Sequence, residues 1–246
     1  MKKFLSLLLA VLMVLSMAAC GATNAPAETA ASTEAATEIA TEATEASVYP
    51  MTVTDMAGRE VTIEAEPQRI VSGYYISSSA CIALGLSDRM VAVEDKADKR
   101  PIYKLAAPAL AELPMVGTAK EFNLEACLAA EPDLVILPMK QKDTAAALEE
   151  LGIPALLVMP ESHEQIIEMF SLIATAANVD AEALISYYQA ELAEVEALAA
   201  GITEQPVVYI TGTSSYLTTA PGQMYQSSLI TTAGGTATFE VEYATE

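Results

Sequence analysis

Two adjacent tyrosines and a segregated set of lysines and arginines are the side chains of this sequence best placed to do chemistry, and that chemistry is the binding of an anion. Ten Lys and Arg lie between residue 48 and the C-terminus. Seven of them (Lys96, Lys99, Arg100, Lys104, Lys120, Lys140, Lys142) fall between residues 96 and 142, and none follows Lys142, although fifteen acidic residues do. Randomly scattered surface charge would not segregate in this way. Two readings are open: a solvated face that balances local acids such as Glu94, Asp95 and Asp98, or a basic patch that faces an anionic ligand. Tyr74 and Tyr75 precede the patch, and a later loop brings Ser214 and Tyr216, with Tyr225 just beyond it.

Other chemistries have little support. His163 is the single histidine, there is no CxxC, and so a His-rich metal site is excluded. His163 falls in the first turn of a predicted helix and reads as a surface residue. No GxSxG, P-loop or HExxH occurs and no nucleophile is paired with a base, so no catalytic residue is assigned and the chain reads as a non-enzyme. A net charge of −21 argues against a nucleic-acid partner. Cys81 and Cys127 lie in apolar segments; buried free thiols are favoured over a disulfide, because nothing in the sequence brings the two together.

The elements that must position these residues follow from periodicity. Thr52 to Ile63 alternates around Asp55-Met-Ala-Gly58 and predicts a β-hairpin. Short continuous apolar runs then predict strands at Arg69–Ser72, Met90–Val93, Met115–Gly117, Leu134–Leu137 and Ala155–Val158. Helices are predicted between them, from Ser77 to Leu84, from Asn123 through Ala130 and from Asp143 to Leu151. Alternating strands and helices with unbroken apolar strands indicate a parallel sheet covered on both faces. Ligands of such sheets sit beyond the carboxyl ends of the strands. Those ends carry Tyr74 and Tyr75, then Lys96 to Arg100, then Lys120, then Lys140, so basic and aromatic residues gather on one edge. Ser162 and Gln165 form a capping box for a helix through Ala177. Asp180 starts another to about Ala200, whose stripe of Leu184, Tyr188, Leu192, Val195 and Leu198 reads as ordinary core packing. Pro206–Thr211 and Met224–Ala233 read as one further strand and one further helix.

The N-terminus has a different character. Lys2 and Lys3 precede an apolar run from Phe4 to Met17, too short for a comfortable membrane span, and small residues lead to Cys20. This resembles the lipobox of bacterial lipoproteins, which implies a signal peptide over residues 1–19, lipidation of Cys20 and anchoring at the extracytoplasmic membrane face. Residues 20–47 are rich in Ala, Thr and Glu and read as a solvated linker, since they offer too little apolar surface to offset the entropy of ordering.

The chain also resembles the solute-binding proteins of ABC importers for iron–siderophore complexes, haem and cobalamin. The resemblance rests on Asp55-Met-Ala-Gly-Arg-Glu-Val61, Arg69-Ile-Val-Ser72, Ala83-Leu-Gly-Leu86, Asn123-Leu-Glu125, Glu131-Pro-Asp-Leu-Val-Ile136 and Leu151-Gly-Ile-Pro154, taken in order. It implies two α/β lobes joined by one long helix, here Asp180 to Ala200, with the ligand held between them. Residues 48–160 would form the N-terminal lobe, 161–204 the helices including the interlobe helix, and 205–246 a partial C-terminal lobe. On this resemblance the second lobe would be incomplete, because some forty residues cannot bury a lobe's core. The resemblance further implies an iron(III) chelate, haem or cobalamin as ligand, with no resident cofactor. Its partners would be an ABC permease and its ATPase, with Glu125 docking the permease. The ligand contacts would come from Tyr74, Tyr75, Lys96, Lys99, Arg100, Lys120 and Lys140 of the first lobe and Ser214, Tyr216 and Tyr225 beyond the linking helix. A surface enzyme or haem-handling lipoprotein on the same scaffold, or a non-transporting remnant, are the alternatives.

Overall fold

The computed structural model describes residues 48–211, 222 and 224–237. The hairpin opens it: β1 (Met51–Thr54) pairs antiparallel with β2 (Glu60–Ile63), with Val53 opposite Val61. Val53, Val61 and Ile63 point inward, while Thr52 and Thr62 face each other in solvent, as a period of two demands.

The centre of the molecule is a four-stranded parallel sheet. Its strands are β3 (Ile70–Ser72), β4 (Met90–Ala92), β5 (Leu134–Pro138) and β6 (Ala155–Val158), in the order β4-β3-β5-β6. All residues of β3, β5 and β6 are buried, which is why these strands read as unbroken apolar runs. Successive side chains serve two separate cores. Ile70, Ile136, Leu156 and Val158 join one with Cys81, Met169 and Ile173; Val71, Val135, Leu137 and Leu157 join the other with Cys127, Ala145 and Leu148. The helices that cover these faces are α1 (Tyr75–Ala83), α2 (Pro101–Ala106), α3 (Leu124–Ala129), α4 (Lys142–Glu150) and α5 (His163–Ala177). The chain leaves β3 for β4 on one side and returns to β5 on the other, which puts the reversal of strand order beside β3.

Local chemistry fixes the ends. Asn123 accepts from the Ala126 N–H at 3.0 Å and starts α3. Ser162 accepts from the Gln165 N–H at 3.2 Å, while the Gln165 side chain accepts from the Glu161 N–H at 3.0 Å, a reciprocal cap on α5. Asp55 is 3% exposed, and its carboxylate takes the N–H groups of Ala57, Arg59 and Leu157 as well as the Arg59 guanidinium. It clips the hairpin to β6.

Three elements differ from the sequence expectation. The expected strand Met115–Gly117 is reduced to two isolated bridges, Met115 to Val93 and Gly117 to Phe122, because Pro114 brings no N–H and Gly117 turns the chain at φ +91°. The long helix α6 (Glu182–Ala199) forms, but none of its residues is fully buried. Leu184, Tyr188 and Leu192 are half-buried, whereas Val195 is 43% and Leu198 73% exposed. Its stripe is therefore not ordinary core packing: towards its C-terminus the described residues do not cover it. The last strand pairing is also short, with β7 (Val207–Val208) lying parallel to β8 (Thr236–Ala237) after α7 (Tyr225–Thr232). Val207 and Tyr209 remain exposed.

Candidate functional site

The carboxyl end of the sheet is built around a buried acid that its sequence neighbours do not single out. Glu94 follows β4 and is 3% exposed. One carboxylate oxygen accepts the Ser78 hydroxyl; the other accepts the Tyr103 hydroxyl at 2.9 Å and Arg100 Nε at 2.8 Å. Ser78 in turn bonds Ser72, and Ser72 bonds Ser77, each at 2.8 Å. The last residue of β3, the first turns of α1 and the start of α2 are thereby joined. Burial, and then the charge of Glu94, push the Tyr103 phenol well above its ordinary value, so it is a neutral donor.

Arg100 lies across this network. Its guanidinium carbon is 4.7 Å from the Tyr75 ring centroid and 5.7 Å from that of Tyr103, within cation–π range. Tyr74 meets Tyr75 edge to face at 5.2 Å. Tyr75, Ser79, Lys96, Lys99 and Arg100 line an open groove of about 340 Å³. Lys99 is paired with Asp98 at 2.7 Å, and Lys96 holds its loop in the left-handed region at φ 69°.

The other basic loops are tied to this one. The Asp95 N–H donates to the Gly117 carbonyl at 2.7 Å, and Asp95 Oδ1 accepts from the Gly117 N–H at 3.0 Å. Gln141 donates from Nε2 to the Ala119 carbonyl at 3.2 Å, joining the turn that carries Lys140 to the loop that carries Lys120. Both lysines are exposed. Gly73, directly after β3, admits no side chain: a Cβ would lie 2.7 Å from Phe122 and 2.9 Å from Leu137. Glu125 is exposed in the first turn of α3.

Tyr225 belongs to a second cluster. His163 Nδ1 is 2.8 Å from the Tyr188 hydroxyl, and the His163 ring packs on Tyr225 with centroids 5.7 Å apart. The expectation of a surface histidine is corrected here: α6 and α7 close over the first turn of α5, His163 is half-buried and its Nε2 is sealed from solvent without a hydrogen-bond partner. Ser214, Tyr216 and Cys20 lie outside the described residues. Among the described residues, no group of three or more His, Cys, Asp or Glu converges on a metal position, and no helix is long and apolar enough to cross a membrane.

Cys81 and Cys127 are both buried and free. Burial pushes the Cys81 thiol up to about 12 and the Cys127 thiol up to about 11. At pH 8 both are therefore held as the thiol, whereas the thiolate is the reactive form. The folded protein is expected to resist iodoacetamide at pH 8 and to be alkylated at both positions once denatured. Rapid labelling of the native protein, read by mass spectrometry, would contradict this.

Of the sequence-derived site residues, Tyr74, Tyr75, Lys96, Lys99 and Arg100 meet in one place, Lys120 and Lys140 stand on loops bonded to each other, and Tyr225 sits apart beside His163. Sequence reasoning missed Glu94 and the serines behind it. The only signal was the run Ser77-Ser78-Ser79 inside an otherwise apolar helix, which does not say what the hydroxyls bond.

Comparison with known proteins gives a consistent result. The sequence profile described as "Periplasmic binding protein" matches residues 70–242. An uncharacterized ABC transporter substrate-binding lipoprotein of Bacillus subtilis, YvrC, is 26% identical over 192 residues, covering 70% of this chain and 59% of its own length. A periplasmic solute-binding protein from Veillonella parvula superposes with a TM-score of 0.59 at 29% identity, over 76% of this chain and 59% of that one. The periplasmic heme-binding protein RhuT from Roseiflexus, in its apo form, superposes with a TM-score of 0.56 at 25% identity, over 69% of this chain and 65% of that one. The chain thus spans about six-tenths of the length of these relatives. With the profile matching most of the sequence, the chain belongs to the periplasmic binding protein family.

Proposed function

We propose that this chain is the substrate-binding component of an ABC importer, capturing an iron(III)–siderophore complex, haem or cobalamin and presenting it to a membrane permease and its ATPase. The observation that carries the reading is the convergence of Tyr74, Tyr75, Lys96, Lys99 and Arg100 at the carboxyl end of a parallel sheet, beside the reversal of strand order, where α/β proteins bind ligands. Family membership supports it, as does the lipoprotein and heme-binding character of the named relatives. Aromatic rings flanked by cations suit a flat or chelated ligand with anionic oxygens, which favours ferric complexes and haem over cobalamin. Lys120 and Lys140 lie on the same edge, and Ser214, Tyr216 and Tyr225 contribute from beyond α6. In this reading Cys20 carries the lipid that holds the protein at the extracytoplasmic face of the cell membrane, and Glu125 docks the permease.

The chain has ten tyrosines and no tryptophan, so tyrosine emission reports binding directly. Titration with haemin, a ferric catecholate and cyanocobalamin is expected to give saturable quenching with one of the first two. Replacing Lys96, Lys99 and Arg100 together by Ala should weaken that complex, with most of the loss from Arg100, the least exposed of the three. No saturable response to any of the three ligands would overturn the reading. Membrane association that survives Cys20→Ser would overturn the anchor, and uptake unaffected by Glu125→Lys would overturn the docking role.

A further inference from the structure

Glu94 is the most deeply buried acid beside the ligand groove, and the binding proposal above makes no use of it. Its three donors do unequal work. Ser78 and Tyr103 satisfy the carboxylate from within the fold. Arg100 reaches it from the groove side, through Nε alone, with its side chain 31% exposed. Among the described residues neither terminal nitrogen of Arg100 has a protein partner. The Tyr75 ring lies beneath the guanidinium, with Cζ 4.7 Å from its centroid, and backs it from one side. A guanidinium held by Nε and backed by a ring has one free edge, the pair of Nη amines, and that pair matches the two oxygens of a carboxylate.

The same contact removes charge. Glu94 neutralises Arg100 as Asp98 neutralises Lys99. The groove is therefore less positive than its sequence suggests, and a site that worked by summed charge would gain nothing from a buried acid at its centre.

We propose that Glu94 is a positioning residue: it holds Arg100 by Nε so that the two Nη amines form a fixed fork over Tyr75, and the groove recognises one carboxylate of its ligand by geometry rather than by total charge. This rests on the ligand face assigned above. The chemical class is a carboxylate-bearing ligand laid against an aromatic ring, with Arg100 as the contact and Glu94 acting through it.

The sign of one substitution separates the two modes. Glu94→Gln removes a negative charge from beside the groove, so a charge-summing site would bind an anion more tightly. A positioning role requires weaker binding. Citrate serves as probe, with inorganic phosphate as the tetrahedral comparison. The binding is followed by NMR of the Arg100 Nε–Hε signal in the full folded chain. In the wild type this signal is expected to be shifted and protected from exchange before any ligand is added, and to move on titration with citrate more than with phosphate. In Glu94→Gln the protected signal should be lost and citrate affinity should fall at least about five-fold. Arg100→Lys keeps the charge and loses the fork, so citrate affinity should fall at least about ten-fold; this variant decides the matter if Glu94→Gln does not fold. Tighter citrate binding by Glu94→Gln, unchanged binding by Arg100→Lys, or no citrate response at Arg100 in the wild type each overturns the proposal. The importer reading fails separately: it falls if haemin, the ferric catecholate and cyanocobalamin all fail to bind while citrate still moves Arg100. It survives alone if one of them binds and Arg100→Lys leaves that affinity unchanged.

Discussion

Asp55→Ala is expected to lower the unfolding free energy by about 3 kcal/mol, the low end of what breaking a buried ion pair costs. The wild-type carboxylate is buried and holds five donors: three backbone N–H groups and two nitrogens of Arg59. Removing it strands the Leu157 N–H inside the protein, where an unpaired donor costs about 1–3 kcal/mol. It also leaves Arg59 without its principal partner. Arg59 keeps Glu149 at 3.0 Å and the Ala155 carbonyl, and a quarter of its side chain reaches water, which limits the loss. Asp55→Asn keeps one acceptor oxygen for the Ala57 and Arg59 N–H groups, but its NH2 then faces the Leu157 N–H and the Arg59 guanidinium, so it should not rescue the loss. Against a typical domain stability of about 5–15 kcal/mol, the Ala variant should show a clearly lowered urea midpoint with an unchanged slope. A shift below about 1 kcal/mol would mean that the hairpin docks on β6 by its apolar face alone.

The second large effect is expected from Gly117→Ala. Gly117 has φ +91°, and the strain of placing a side chain in that region costs about 1–3 kcal/mol by itself. A Cβ there would also collide with the Glu121 carbonyl oxygen and stand 3.0 Å from the Asn123 nitrogen. These are backbone atoms, so no rotamer change relieves the contact. The loop must open, and with it the paired bonds between Asp95 and Gly117 and the bond from the Asn123 N–H to the Val116 carbonyl. Stability and ligand affinity should fall together, because these bonds hold the Lys96 loop against the Lys120 loop. Gly152→Ala is the control. Gly152 has φ +77° with nothing within 4 Å of its Cβ position, so only the conformational strain applies. A Gly117→Ala protein that melts no lower than Gly152→Ala would show that the loop yields freely.

The sheet was legible in the sequence because buried parallel strands leave a signal that needs no partner to interpret: Leu134 to Leu137 and Ala155 to Val158 are apolar throughout. Caps at Asn123 and Ser162 were legible for the same reason, since donor and acceptor sit three residues apart. Glu94 was not, because its bonds run to Ser78, Arg100 and Tyr103 on two other elements, and an acid next to lysines looks like charge balance until its burial is known. His163 was misplaced because a first-turn position says nothing about which helices arrive later to cover it. The stripe of α6 was read correctly as a stripe and incorrectly as core, since periodicity reports which face is apolar and not what lies against it. The arrangement was thus half legible: the gathering of cations and tyrosines beyond the strand ends could be read from their positions, while the buried acid bonded to one of them could not.

The strand order also sets the order of assembly. β3 pairs with β4, its near neighbour in sequence, but its other edge waits for β5, with Ile70 meeting Leu134. The hairpin waits longer still: the Asp55 carboxylate and the Leu157 N–H are 102 residues apart. Until β6 and α5 are in place, that carboxylate stays hydrated and β1 lacks the helix it packs against. Such non-local closure slows folding, since loop entropy is lost before the contacts form. The Asp55 clip is then a late event, a latch set after the sheet has closed. Asp55→Ala should therefore refold at nearly the wild-type rate and unfold faster. A variant that refolded slowly would instead place the hairpin in the folding nucleus. The first residues of the folded region to leave the ribosome are among the last to find their place.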